Sequence, residues 1–264
     1  MFDFHKDKIR YFNWQHYISR DYIVPFISDY ISLEGTSLRV LEVGCAEAGV
    51  LKAFTDKGHT CVGVELQDSR VVIAKEFMKE ELANKKISFI TKNIYDIDPQ
   101  VDFEGGFDVI ILKDVIEHIH DQDKFIGKLS DFLNKDGVVF FGFPPWKMPF
   151  GGHQQLFANK YLSKIPYTHL LPYSWYKKLM ELFKESDTKV ANLLEIKDTG
   201  ISTKKFEKIV AKEKYQILKK QFFLFNPIYQ YKFGLKPRKQ FGFISALFCR
   251  DVFTTCAYYL IKKK

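Results

Sequence analysis

Val40-Leu41-Glu42-Val43-Gly44-Cys45-Ala46-Glu47-Ala48-Gly49 is the stretch on which the fold turns. Leu38 to Val43 reads as a short, mostly apolar strand. The small residues after it make a tight turn into a helical stretch from Val50 to Lys57. Gly58-His59-Thr60 then returns the chain to a second strand, Cys61 to Glu65, and Asp68 to Asn84, rich in Glu, Lys and Ala, predicts a helix. A third strand follows at Ile87 to Ile90. Phe107-Asp108-Val109-Ile110-Ile111-Leu112 is nearly apolar on both faces, as expected of a central parallel strand covered by helices on each side. A helix near Lys124 to Leu133 and a fifth strand, Gly137 to Phe143, complete the alternation. Strands and helices at this rhythm predict an α/β protein with a doubly wound, Rossmann-like, mostly parallel sheet.

Around that core the pattern changes. Upstream, Tyr11, Trp14, Ile18 and Tyr22 recur at spacings of three and four, one face of a helix running from His5 to about Ile31 that Pro25 should break or kink. Downstream, residues 144–200 lose the α/β rhythm. They contain Pro144-Pro145-Trp146, Gly151-Gly152-His153-Gln154-Gln155 and a proline-punctuated run from Ile165 to Pro172, and are expected to form an inserted lid over the carboxyl ends of the strands. A helix from Thr203 to Ala211 and two runs, Tyr215 to Phe225 and Thr254 to Ile261, are expected to close the sheet edge as a C-terminal antiparallel hairpin. The organisation is thus one domain over 1–264: a helical cap (1–36), a cofactor-binding core (37–143), a substrate lid (144–200) and a basic closing segment (201–264).

Composition narrows the classes. With 46% hydrophobic and 27% charged residues in 264, the chain can bury a core, which excludes long-range disorder and a bare disulfide scaffold. No apolar stretch has the length of a membrane span, and Met1-Phe2-Asp3-Phe4-His5-Lys6-Asp7-Lys8 lacks the apolar region of a secretory leader, so a cytoplasmic location is expected. Cys45, Cys61, Cys249 and Cys256 lie far apart without metal-ligand spacing, and no metal is expected. Residues 204–264 hold 15 Lys and Arg against 3 Asp and Glu, and this end gives the chain its net charge of +8. Such a basic region serves solubility, or meets an anionic membrane surface or nucleic acid. Its aromatic runs, Gln221 to Phe225 and Tyr229 to Phe233, read equally as core strands or as a stacking surface.

In an open α/β sheet, ligands bind beyond the carboxyl ends of the strands. The small residues Gly44 to Gly49 let backbone approach a ligand, Glu65 offers a carboxylate to ribose hydroxyls, and Asn93 can bond an adenine edge. Together they describe a site for an adenosine-bearing cofactor. A phosphate-binding loop would need Lys-Ser or Lys-Thr after its last glycine, whereas Val50-Leu51 follows Gly49. A dinucleotide fingerprint is matched by Gly44 and Gly49 with Ala46 in the middle place, which keeps an NAD-dependent oxidoreductase as the alternative.

The ordered set of motifs resembles the class I S-adenosylmethionine-dependent methyltransferases of the small-molecule type. It comprises Val40 to Gly49, Val62-Gly63-Val64-Glu65, Asn93-Ile94-Tyr95-Asp96, Phe107 to Ile119 and Leu133-Asn134-Lys135-Asp136-Gly137 before the fifth strand. The resemblance implies S-adenosyl-L-methionine as cofactor. It places the amides of Gly44, Cys45 and Ala46 and the turn at Gly49 against the methionine part, with Glu42 holding the amino group. It assigns the ribose to Glu65 with Leu66 beside it, the adenine to Asn93 and Ile94, and the sulfonium side to Lys113 and Asp114. Ala46 and Ala48 stand where the family has glycine, a change that costs nothing only if neither needs a positive φ. A catalytically silent adaptor would result if these alanines and Asn93, in place of aspartate, had abolished binding.

Methyl transfer from a sulfonium is an in-line displacement, and a hydroxyl acceptor needs a group to receive its proton. His153, directly after the fifth strand, is the first candidate, with Asp114 and His169 as alternatives; His118 reads as a packing or helix-end residue. Trp146, Phe150, Tyr161 and Tyr167 could wall an aromatic pocket for a ring or a glycan. Pro144-Pro145-Trp146 is similar to the motif of DNA amino-methyltransferases, but it follows the fifth strand and Phe143 takes the place of the polar first residue, which disfavours nucleic acid as substrate. The expected acceptor is therefore a small molecule or a lipid-linked glycan or quinone, with peripheral membrane contact through the basic C-terminal region.

Overall fold

The computed structural model describes residues 7–246 and 249–264. Residues 1–6, including His5 and the start from which a missing leader was argued, lie outside the described residues. Strands β1 (Arg39–Val43), β2 (Thr60–Glu65), β3 (Ile87–Thr91), β4 (Phe107–Lys113), β5 (Leu133–Phe143), β6 (Tyr215–Phe225), β7 (Arg238–Lys239) and β8 (Cys256–Lys263) form one sheet. Its order is β3-β2-β1-β4-β5-β8-β6-β7. The first five strands are parallel, with Val40 opposite both Cys61 and Val109, and Ile111 opposite Phe140. β8 inserts antiparallel between β5 and β6, pairing Phe140 with Leu260 and Phe222 with Ala257. The order reverses at β1 and β4, which puts the expected binding crevice at their carboxyl ends.

Alternation along the central strands feeds two cores. Val40, Val109, Ile111, Phe140, Tyr258 and Leu260 pack with the N-terminal helices, while Leu41, Ile110, Leu112, Val139, Phe141, Tyr259 and Ile261 pack on the other face with Phe125, Phe132 and Phe206. A third, small cluster (Phe157, Leu162, Tyr176, Met180, Val190, Leu193, Leu194) belongs to the insertion after β5, which contains the helices Tyr173–Leu182 and Asp187–Thr199.

Three local expectations are revised. Pro25 does not break the N-terminal helix: Lys8–Ile18 passes through a π-helical turn, Ser19–Ile23, into Val24–Ser28. The wide turn just before the proline accommodates a residue that has no N–H to donate. The helix expected over Asp68 to Asn84 is interrupted at Met78 (φ −109°, ψ 27°). Tyr229 to Phe233 is neither strand nor flat stacking surface but part of the helix Ile228–Phe233, whereas Gln221 to Phe225 does lie in β6. No helix among the described residues is long and apolar enough to cross a membrane.

Candidate active site

The turn after β1 is held in an unusual shape. Gly44 has φ +72°, and a Cβ there would stand 2.7 Å from a methyl of Val115, so both torsion and space call for glycine. Ala46 (φ 51°) and Ala48 (φ 65°) also occupy the left-handed region, so the condition under which the alanines would be cost-free is not met. Neighbouring contacts compensate. The Gly44 and Cys45 amides donate to the Val64 carbonyl (2.8 and 3.1 Å) and the Ala46 amide to Glu65 Oε2 (2.9 Å). Glu65, at the end of β2, also accepts from the amides of Leu66 (2.9 Å) and Gln67 (3.1 Å). Three of a carboxylate's roughly four acceptor positions are thereby filled, which leaves one for an incoming hydroxyl.

Above this turn lies a narrow cleft with about 30 Å³ of free space, lined by Tyr11, Phe12 and Gln15 of the N-terminal helix and by Glu42, Gly44, Cys45, Ala46, Glu47, Gly49, Val50, Lys113 and Asp114. Glu42 is 2% exposed, and its Oε2 has no hydrogen-bond partner. Burial holds its carboxyl well above the usual carboxylate range; Lys113 opposes this and Glu65 adds to it. Burial also pulls the Lys113 ammonium down, but the attraction of Asp114, to which it is paired, and of Tyr11 outweighs burial and keeps it charged. Asp114 itself sits at φ 57°, its amide donating to the Gly142 carbonyl at 2.7 Å.

The sequence reading missed the roof of this cleft and its clasp. Glu47, 1% exposed, pairs with Lys8 (2.6 Å) and Arg70 (3.0 Å), tying the turn to the N-terminal helix and to the helix after β2. Burial pushes its carboxyl up, but the hydrogen bonds from Arg70 and Lys8 prevail and lower it. The periodicity of Tyr11, Trp14 and Ile18 identified a helix without saying that it docks here. Gly49 was the available signal: a Cβ there would lie 2.4 Å from the Phe12 carbonyl oxygen and 2.7 Å from Gln15 Cβ. Gly49 therefore admits the helix as well as lining the cleft. The Cys45 side chain is buried, with its sulfur 2.6 Å from where a Cβ on Gly63 would be, and its backbone is engaged as well, the amide with Val64 and the carbonyl with the Ala48 amide (2.7 Å), so neither faces a ligand in the way the resemblance implies. Leu66 is exposed beside Glu65. Asn93 is exposed and caps its own turn by accepting from the Tyr95 amide (3.1 Å), while the Ile94 side chain is buried in the second core.

A second cluster gathers where the turn after β4 meets the insertion. Gly151 and Gly152 allow close packing, since Cβ atoms there would fall 2.3 Å from the Trp146 carbonyl oxygen and 2.2 Å from His169 Cβ. Gln154, fully buried, accepts from the Gly152 amide (3.1 Å) and donates to the Pro149 carbonyl (3.0 Å) and His169 Nδ1 (2.7 Å). His169 Nε2 in turn donates to the Trp146 carbonyl at 2.7 Å. Both His169 nitrogens are engaged, so it is a pin inside the insertion rather than a base. His153, at φ 56°, turns its ring to that of His118, 5.2 Å away and edge-on. His118 also borders a cavity of about 260 Å³ walled by Asn192, Glu195, Ile196 and Thr199. The four aromatics expected to form one wall do not: Trp146 packs against His169 at 4.5 Å, and Tyr161 is 82% exposed.

A family profile described as a methyltransferase domain matches residues 14–193, more than half of the chain. The chain belongs to this family, the class I S-adenosylmethionine-dependent methyltransferases, which decides the Gly44 turn against a nicotinamide nucleotide. It is 28% identical to a ubiquinone biosynthesis O-methyltransferase of Bradyrhizobium sp. (strain ORS 278) over 104 residues, 39% of each chain. With the enzyme of the same name from Coxiella burnetii it shares 26% over 118 residues, 45% of this chain and 47% of that one. The chain thus spans less than half the length of these curated relatives. The fold is shared with magnesium protoporphyrin IX methyltransferase from Synechocystis PCC 6803 (TM-score 0.56, 15% identity, 100% of this chain and 89% of that one). It is shared as well with a S-adenosylmethionine-dependent methyltransferase from Clostridium acetobutylicum (TM-score 0.55, 13% identity, 98% and 96%).

Proposed function

We propose that this protein transfers the methyl group of S-adenosylmethionine to a hydroxyl of a small-molecule acceptor. The orphaned Glu42 Oε2 carries the reading: a buried acceptor without a partner, on the wall of the cleft beside the Gly44 turn, suits the amino group of the cofactor's methionine part. Gly44, Ala46 and Gly49 shape the turn beneath that part, Glu65 meets the ribose, and Leu66, Asn93 and Ile94 flank the adenine. The cofactor supplies an electrophilic methyl on sulfur. What the chain adds is alignment and exclusion of water, with the N-terminal helix as roof. Lys113, paired with Asp114, keeps a compensated charge at the sulfonium side.

The acceptor is assigned to the cavity bordered by His118 and the helix Asp187–Thr199, under a lid formed by residues 144–200. His153, whose ring meets that of His118 at the border of the cavity, with Asp114 toward the cofactor, is our candidate to receive the hydroxyl proton. The O-methyltransferase names of the curated relatives support oxygen as the accepting atom. We place the enzyme in the cytoplasm, in contact with the membrane surface through its basic C-terminal region. There Phe241 and Phe243 stack 5.9 Å apart, close in sequence to exposed Lys236, Arg238 and Lys239.

Calorimetry with S-adenosylhomocysteine, followed by transfer of labelled methyl to a panel of catechols and phenols, tests the reading. Micromolar binding that Glu42→Gln weakens, and transfer that His153→Ala lowers without loss of cofactor affinity, are expected. Absence of S-adenosylhomocysteine binding by folded protein would refute it.

A further inference from the structure

Outside the cofactor cleft, one buried carboxylate remains without a role. Glu117 is 3% exposed, and neither carboxylate oxygen makes a hydrogen bond. An ionised carboxylate left so is costly, and replacement by an apolar residue would remove the cost. One carboxylate oxygen, one nitrogen of the exposed His118 and one nitrogen of the half-buried His153 all lie within 4.8 Å of one another. The surroundings hold them in place. The Thr199 hydroxyl donates to the Glu117 carbonyl (2.6 Å), and Gln122 donates to the Ile116 carbonyl (3.0 Å), so the turn bearing Glu117 and His118 is fastened to its neighbours. His153 stands on the glycine turn that Gln154 and His169 knot together.

We infer that Glu117, His118 and His153 form a binding site for a divalent transition-metal ion, completed only when the insertion after β5 brings His153 onto the turn after β4. Two imidazoles and one carboxylate are a donor set that suits zinc, cobalt, nickel or ferrous iron rather than magnesium or calcium. Ligand atoms on bonds of about 2.0–2.2 Å stand roughly 3–3.5 Å apart, so the three need to draw in by little more than an ångström. Three protein ligands leave coordination positions open, and His118 borders the cavity assigned to the acceptor. On that reading of the cavity, His153 serves the bound cation as a ligand in place of its role as proton acceptor: the cation binds the acceptor oxygen and favours its deprotonated form, the proton passing to solvent. The metal site itself does not depend on that assignment.

The test uses the full chain stripped with a chelator and titrated with Co²⁺ alone, read by visible absorption and by metal content after desalting, with neither cofactor nor acceptor present. One equivalent is expected to bind, with a ligand-field spectrum of a site containing nitrogen donors, and Zn²⁺ should displace it while excess Mg²⁺ does not. His153→Ala and Glu117→Gln should each weaken binding by about a hundredfold or more. Should His153→Ala fail to fold, His118→Ala, at an exposed ring, carries the same test. No binding by the folded chain, displacement by Mg²⁺, or affinity unchanged in the histidine variants would overturn the proposal. S-adenosylhomocysteine binding, measured on the same samples, reads the cofactor assignment separately.

Discussion

Ala46 and Ala48 show how one torsion can carry opposite consequences. A non-glycine residue in the left-handed region costs about 1–2 kcal/mol, which both pay. The Ala46 methyl is only half-buried, whereas that of Ala48 is fully enclosed in the core on the side of the N-terminal helices. Ala46→Gly should therefore raise stability by about 1 kcal/mol, read as a shift in the urea midpoint. Ala48→Gly should come close to neutral, since losing a buried methyl forfeits about 0.8 kcal/mol of the same relief. Glu42 makes a different prediction. Its carboxyl lies well above the usual range because burial disfavours charge, so the free protein holds a proton there past the pH at which an exposed glutamate has lost it. An incoming ammonium stabilises the ionised form. Binding of S-adenosylhomocysteine should thus release a proton and tighten as pH rises toward that raised value. Calorimetry in two buffers of different ionisation enthalpy should show the release, and Glu42→Gln should abolish it.

Among the elements, the insertion after β5 carries a buried, acid-sensitive histidine. Burial lowers His169 to about 4, the Trp146 carbonyl resisting and Lys197 assisting. Because the folded value lies below the unfolded value of about 6.5, the unfolded chain binds the extra proton first. The stabilisation is whole above pH 6.5 and is lost as pH falls through 4, by up to about 3 kcal/mol. Denaturation midpoints at pH 7, 5.5 and 4.5 should fall with pH more steeply in the natural protein than in His169→Gln, and parallel curves would contradict the assignment. This pin also marks where the sequence stopped being informative. β1 to β5 were legible because each is a dense apolar run bounded by a turn, and Glu42, Gly44 and Glu65 because their places follow from those strands. The helices Tyr173–Leu182 and Asp187–Thr199 were not, because their small core forms only with Phe157 and Leu162 from the preceding turns. Glu47 was missed for a similar reason: its partners Lys8 and Arg70 come from two other helices. His153 and His118 meet only through a contact between the turn after β4 and the insertion, which no local spacing reveals.

At the scale of the whole molecule, charge and apolar surface coincide at one edge of the sheet. β7 pairs Lys239 with Phe223 and Arg238 with Phe225, and beyond it Phe241 and the 70% exposed Phe243 stack. Water alone would not favour that exposure; an anionic bilayer would accept both the rings and the cations, at about 1 kcal/mol for each basic residue near its surface. Lys236, Arg238 and Lys239 then supply about 3 kcal/mol, enough for a preference of roughly a hundredfold over neutral lipid but too little to hold the protein there at high salt. Sedimentation with phosphatidylserine-containing vesicles should capture the protein at about 0.05 M salt and release it near 1 M, where the screening length contracts to about 3 Å. Phosphatidylcholine vesicles should capture far less. Phe243→Ser should weaken the remaining association at any salt, whereas Lys239→Gln should act chiefly at low salt. The two variants separate insertion of the ring from attraction of the charge. Equal capture by neutral and anionic vesicles would remove the electrostatic part of the assignment, and no capture at low salt would remove the surface altogether.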